Sequence, residues 1–266
     1  MNKGQTTAFL MFASNGNVEV AKLLLDRSPN AIYAIDSEGR GAFHHAASWG
    51  HSNFIEWLHN IREAPDVDLN QRKALDPNRT DIYGMTFIHW AIDYYEPLII
   101  ECCLRFCKST IVDEVDHLEN TPLHIALDKL SDQVEIQSIL MKNMSLRARC
   151  RRNNESESIL SLAVENVIRE RSSESSSEDS SEGSTEDPCS KFLLDLFRRP
   201  VDVEDSQLES WPEIIRTDPG HVTYIAKKLE VLFLDSGLPE TIIFWAARNG
   251  AEDLVNNGLT KLTDSD

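Results

Sequence analysis

Basic charge is scarce in this chain. Lysine and arginine number 26 against 44 acidic residues, a net charge of −18. Such a chain repels nucleic-acid phosphates, so DNA and RNA are not expected partners. Long apolar runs are also missing. No window approaches the roughly 18 apolar residues of a membrane helix. The most apolar stretch, P-L-I-I-E-C-C-L-R-F-C, is broken by Glu101 and Arg105. The opening residues M-N-K-G-Q-T-T lack the apolar core of a secretory signal. Cysteine is sparse: Cys102, Cys103, Cys107, Cys150 and Cys189 include no C-x-x-C pair, which suggests reduced and mostly buried thiols. These absences predict a soluble chain of the cytoplasm, with the nucleus as a second compartment and no membrane insertion.

Catalytic signatures are absent as well. There is no G-x-x-x-x-G-K-[ST] or G-x-G-x-x-G to cradle a phosphate, and no G-x-S-x-G or H-E-x-x-H. The acidic residues single out no pair for acid–base work. Neither catalytic residues, nor a cofactor, nor a small-molecule substrate is expected. With 41% hydrophobic and 26% charged residues, the chain still has the composition of a folded protein.

What is present recurs. The stretch T-P-L-H-I-A begins at Thr121, with Asp116 five residues earlier. Gly41, His44 and Ala46 fill the threonine, histidine and alanine positions of a second copy, with Asp36 five before its start. Thr86, His89 and Ala91 fill a third, behind Asp81. A glycine stands two before the start in two of the three (Gly39 and Gly84), where the other has Glu119. Weaker copies start at Thr7, Ser158, Ser210 and Thr241. The starts 7, 41, 86, 121, 158, 210 and 241 are separated by 34, 45, 35, 37, 52 and 31 residues. The interval of 45 holds a polar stretch with two prolines. The interval of 52 falls to 35 once the 17 residues from Ser172 to Pro188 are set aside.

The residue types explain themselves. Pro122 suits the first position of a helix, because its φ is already helical and it has no N–H to leave unpaired. Thr121 can cap that helix, and a hydroxyl–imidazole bond to His124 would lock the cap. The small Ala46, Ala91 and Ala126 allow close helix packing. Each start is followed by a second apolar helix, such as V-E-V-A-K-L-L-L, N-F-I-E-W-L or V-E-I-Q-S-I-L, spaced to bury one face. Gly16, Gly50 and Gly250 separate first helix from second as left-handed caps. Trp90 and Trp245, just before the alanine, are expected in the core. No such unit buries its apolar face alone, so the units must stack.

The period and the Thr-Pro-Leu-His-x-Ala core resemble ankyrin repeats. The resemblance implies an all-α solenoid of about seven repeats with projecting turns and a disordered acidic, serine-rich insertion. It divides the chain into residues 1–171 (repeats one to four and the first helix of the fifth), the insertion at 172–188, and residues 189–266 (the second helix of the fifth repeat to the seventh). It also explains His44, His89 and His124 as repeat-slot residues. Neighbouring units would hold them roughly 10 Å apart, too far to share a metal ion.

Ankyrin-like arrays usually bind proteins with their projecting turns and first helices. Carried onto this chain, that implies Ser48, Trp49, Asp93, Tyr94 and Lys129 at the ends of first helices, and Glu38, Tyr83 and Leu118 at turn tips. Trp49, Tyr83 and Tyr94 are the candidate anchors, since aromatic residues dominate binding hot spots; the alternative is that they pack on a neighbouring turn. The expected role is a non-enzymatic scaffold or adaptor for a protein or peptide partner of basic or mixed charge. Two other roles stay open: a regulatory cytoplasmic segment of a larger channel or signalling protein, and an inhibitor that occludes an enzyme. The 172–188 segment holds six acids and no base, which predicts disorder. Ser175, Ser176 and Ser184 each precede an acid by three residues, a spacing that resembles acid-directed kinase sites. Upstream, Arg147, Arg149, Arg151 and Arg152 form an arginine cluster.

Overall fold

The computed structural model describes residues 7–65, 68–94, 96–107, 109–129, 133–149 and 151–174, together with Phe192, Thr223, 225–229, Ile242, Ala246 and Val255. Among these residues there is no β-strand; one isolated bridge joins Arg152 and Ser158. The helices are α1 (Ala8–Ser14), α2 (Val18–Arg27), α3 (Ala42–Ser48), α4 (Ser52–Glu63), α5 (Leu69–Ala74), α6 (Phe87–Ala91), α7 (Pro97–Phe106), α8 (Pro122–Lys129), α9 (Val134–Asn143), α10 (Leu146–Arg149) and α11 (Ile159–Glu174).

The repeat phase read from the sequence fixes where these helices begin. The first helices α1, α3, α6, α8 and α11 each start one residue after 7, 41, 86, 121 and 158. The alanines five residues after a start, Ala46, Ala91, Ala126 and Ala163, are buried, as is Ala246 five after Thr241. Small side chains here let these first helices approach closely, whereas α1 carries Phe12 in the same slot.

Contacts divide the chain into two compact units. One comprises residues 1–145 with 153–155, the other 146–152 with 156–266. In the first unit the helices form two rows. α1 packs on α3, α3 on α6 and α6 on α8; behind them α2 packs on α4, α4 on α7 and α7 on α9. Aromatic rings bridge successive repeats: Phe9 meets Phe54 and Trp57 at 6.1 and 6.3 Å, and Phe43 meets Phe87 at 5.4 Å. Each contact joins side chains that would otherwise face water, so a repeat is stable only beside its neighbour.

In the second unit, α11 starts on a serine pair. Ser158 N–H donates to Ser161 Oγ at 2.8 Å, and Ser161 N–H returns a bond to Ser158 Oγ at 3.1 Å. Serine replaces both threonine and histidine here, yet both orphan donors at the helix start are satisfied. α11 buries Leu162, Ala163, Val164 and Val167. It continues through Glu174, so the first three residues of the acidic segment are helical. The rest of that segment, with Ser175, Ser176 and Ser184, lies outside the described residues, as do Cys150, Cys189, Ser210, Trp245 and Gly250.

Histidines tie the first unit together. His89 Nδ1 accepts from the Thr86 backbone N–H (3.1 Å) and lies 2.9 Å from the Thr86 hydroxyl. This places the ring proton on Nε2, which donates to the Asn120 carbonyl of the next repeat at 3.3 Å. His44 repeats the arrangement, with Gly41 N–H on Nδ1 (3.4 Å) and the Met85 carbonyl on Nε2 (3.2 Å). In the fourth repeat Thr121 and His124 form the same cap at 2.8 Å.

Between helix pairs the chain turns on an aspartate. Asp36, Asp81 and Asp116 each accept two backbone N–H bonds on Oδ1, from residues two and four positions later. The turns are also bonded to one another. Ile82 N–H donates to the Glu38 carbonyl, His117 N–H to that of Tyr83 and Asn154 N–H to that of Leu118, at 2.8 to 2.9 Å. Asn153 fills the aspartate slot in the fifth turn, accepting from Glu155 N–H at 3.1 Å.

One expectation needs correction, and one break in the glycine rule keeps the conformation of the turn. The position two before each start is left-handed in every turn, whether or not it is glycine: Gly39 and Gly84 have φ of 79° and 78°, and Glu119 and Ser156 have 63° and 66°. Glu119 therefore does not depart from the turn; it holds a left-handed conformation that costs a non-glycine residue about 1–2 kcal/mol. The insertion in the 45-residue interval, read as loop, contains α5. Asp68 caps it with bonds from Asn70 and Gln71 N–H at 2.7 and 2.8 Å, and Leu75 behind it is buried.

Gly84 is the turn position least open to change. A Cβ there would lie 2.6 Å from His117 Cδ2 and 3.0 Å from the His117 nitrogen. Gly84→Ala is expected to cost about 1–3 kcal/mol by chemical denaturation, because steric conflict adds to backbone strain.

The histidine ties predict an acid-sensitive fold. Burial drives His44 and His89 from 6.5 to about 4, outweighing their carbonyl partners. Burial also lowers His45, against the pull of Asp36. With folded values below the unfolded one, the unfolded chain binds more protons between pH 6.5 and 4. The stability is therefore fully present above pH 6.5 and is lost as pH falls toward 4, by about 3 kcal/mol for each of His44 and His89. Denaturation midpoints should be flat from pH 8 to 7 and fall steadily below 6.5; midpoints level down to pH 5 would contradict the assignment.

Candidate interaction surface

The residues singled out from the sequence fall into two repeat-phased rows. Glu38, Tyr83 and Leu118 all stand three before a repeat start, and Trp49, Tyr94 and Lys129 all stand eight after one. The first row lies at the turn tips, the second at the ends of first helices.

The tip row is held by its backbone. The N–H groups of Glu38, Tyr83 and Leu118 donate to the aspartate of their own turn, at 2.9, 2.8 and 2.8 Å. Their carbonyls accept from the next turn. Both main-chain groups of each tip are thus occupied within the fold, while the side chains of Tyr83 (48%) and Leu118 (58%) stand open to solvent. Ile82 beside Tyr83 is 54% exposed. Glu38 is engaged differently, its carboxylate lying 3.1 Å from Arg40 Nη1.

The helix-end row is mixed. Trp49, at the C-terminal cap of α3, is 59% exposed. Tyr94 is 40% exposed, but its ring lies over Gly50, where an added Cβ would stand 2.0 Å from Tyr94 Cε1. Tyr94 therefore packs on the preceding repeat while keeping an outer edge. Lys129 Nζ and Asp93 Oδ1 pair at 2.7 Å across adjacent repeats. Both are well exposed, so the pair contributes little to stability. Ser48 is half-buried and donates to the His45 carbonyl at 3.3 Å.

A cluster beside these rows was not anticipated. Asp36 Oδ2 accepts from Arg40 Nε (2.7 Å) and lies 3.1 Å from His45 Nε2, whose other nitrogen is 3.0 Å from Ser14 Oγ. Burial alone would raise the Asp36 pKa, but the bonds from Arg40, Glu38 N–H and the Arg40 charge hold it below its ordinary value. The Arg40 guanidinium lies 4.7 Å above the Trp90 ring, and Trp90 Nε1 donates to Asp81 Oδ2 at 2.9 Å. Trp90, expected in the core, is half-buried and hydrogen-bonded at its rim instead. Arg40 closes the turn that Asp36 caps, the one sequence signal that could have pointed to the pair.

Among the described residues no three His, Cys, Asp or Glu side chains converge on a metal position. Burial pushes the Cys107 thiol up to about 12 and raises Cys102 and Cys103, so none is poised as a thiolate. A cleft of about 310 Å³ opens between α2, α4 and α5, with Trp57 and Ile61 beside Lys22 and Asp26 in its lining. No helix among the described residues is long and apolar enough to cross a membrane.

The comparison with curated proteins finds no match. Residues 9–59 match the family model for ankyrin repeats (many copies), a span that covers α1 to α4. The same start, cap, turn and helix pair are carried on through α9, so the likeness to ankyrin repeats extends beyond the matched residues.

Proposed function

We propose that this chain is a non-enzymatic scaffold or adaptor that holds a protein or peptide partner along its turn tips and first-helix ends, as ankyrin repeats are in general protein–protein interaction modules. The observation that carries this reading is the tip row. Tyr83 and Leu118 present large apolar side chains from a backbone with no free hydrogen-bonding group, so little conformational entropy is lost when a partner covers them. Trp49 and the edge of Tyr94 offer a second row of exposed rings, with the exposed Asp93–Lys129 pair among the first-helix ends. An apolar centre beside charged groups is the usual anatomy of a protein interface. The chain's −18 charge favours approach by a basic or mixed-charge partner and repels acidic ones.

An affinity pull-down compares the wild type with a Trp49→Ala/Tyr83→Ala double variant. The partners retained by the wild type should be lost or weakened by about 30-fold, equivalent to about 2 kcal/mol. The thermal midpoint of the variant should barely move, because both side chains are largely exposed. Equal partner sets from the two proteins would remove this surface.

A further inference from the structure

The backbone of the turn tips narrows the kind of segment they can receive. Every main-chain N–H from Ile82 to Gly84 and from His117 to Glu119 is already given within the first unit. Ile82 donates to the Glu38 carbonyl, Tyr83 to Asp81 Oδ1 and Gly84 to the Asp81 carbonyl, at 2.9, 2.8 and 3.2 Å. His117 donates to the Tyr83 carbonyl, Leu118 to Asp116 Oδ1 and Glu119 to the Asp116 carbonyl, at 2.8, 2.8 and 3.0 Å. The carbonyls of Tyr83, His117 and Leu118 are taken as well, by His117 N–H, Asn154 Nδ2 and Asn154 N–H. A peptide that adds as a strand gains its affinity from main-chain bonds. These tips have no main-chain donor to offer one. An α-helix arrives with its own main-chain bonds made.

Spacing points the same way. Each turn closes through a main-chain bond, as from Asp81 to Met85 and from Asp116 to Asn120, and the next turn bonds to its tip. Each repeat thus adds two hydrogen-bonded steps of about 4.8 Å, which puts successive tips about 10 Å apart, the distance at which helices also stack. Seven residues of an α-helix rise about 10.5 Å. A helix lying along the tips therefore presents side chains two turns apart to successive repeats.

The tip row also sets an order of chemistry. Three before the starts at 41, 86, 121 and 158 stand Glu38, Tyr83, Leu118 and Glu155. All four belong to the first unit. Tyr83 and Leu118 are 48 and 58% exposed, with Ile82 beside them. Glu38 is half-buried and shares its charge with Arg40, whereas Glu155 is exposed. An apolar pair thus lies between two acids.

We propose that the tip row receives an amphipathic helix of a partner protein. Its apolar side chains, seven residues apart, cover Tyr83 and Leu118, and a lysine or arginine one heptad beyond each faces Glu38 and Glu155. This rests on the scaffold role and names the partner segment at the same surface. Three steps of about 10 Å need a helix of about 21 residues.

A displayed library of random peptides about 22 residues long, panned against the full chain, tests this. Binders to a Tyr83→Asp/Leu118→Asp variant are removed. Both side chains are about half exposed, and an unchanged thermal melt would show that variant folded. The retained peptides should carry apolar residues with a seven-residue period, flanked by bases, and gain helical circular dichroism on binding. A central proline should weaken them by at least about 10-fold, a change made in the peptide that leaves the protein untouched. Glu155→Lys should weaken them by about 5-fold at low salt and less at high salt. Retained peptides that tolerate the central proline, or that alternate apolar and polar residues, would overturn the helix while the scaffold surface stood. Indifference to Glu155→Lys would overturn the basic flanks. The absence of any peptide that tells the wild type from the double variant would overturn the whole proposal, and the pull-down with Trp49→Ala/Tyr83→Ala would then decide the scaffold role separately.

Discussion

The imidazoles of His44 and His89 each hold two pieces of backbone at once. Through Nδ1 the ring receives the N–H of its own helix cap, and through Nε2 it gives a proton to a carbonyl in the next repeat. Both ring nitrogens are used, and only the neutral Nε2–H tautomer can serve both partners. Second protonation would put a donor against a donor, which burial makes costly. The same side chain therefore sets where a first helix begins and how far away the next repeat lies. The Phe43–Phe87 contact and the ladder between the turns at Asp36, Asp81 and Asp116 span the same repeats that these bonds space.

That spacing is what makes the turns into a surface. When each aspartate closes its own turn and each tip carbonyl receives the next turn's N–H, no main-chain group at Glu38, Tyr83 or Leu118 remains to be satisfied. Binding can then depend on side chains alone. The fold is indifferent to what stands at the tip: a carboxylate at Glu38, a phenol at Tyr83 and an isobutyl group at Leu118 sit on the same backbone. Variation there changes the surface without touching the stack, which is how one architecture presents different partners with different chemistry.

The chain's own order of residues settled the period, the helix starts, the Thr–His caps and the aspartate turns. Each is a local device, complete within about six residues, so its parts are written side by side. The seven-fold count and the acidic segment beyond Glu174 rest on sequence alone. Tertiary structure decided which aromatic faces water: Tyr94 lies across Gly50 and Trp49 stands free, though both had looked alike as large rings near helix ends, and Trp90, expected in the core, lies under Arg40. It also decided that Lys129 meets Asp93, that Glu119 takes a glycine's conformation, and that a polar insertion forms α5. These outcomes depend on contacts between residues up to 50 apart. A repeat pattern gives the spacing of such residues but not the separation or tilt of the surfaces that carry them, and those are fixed only when neighbouring repeats close on one another.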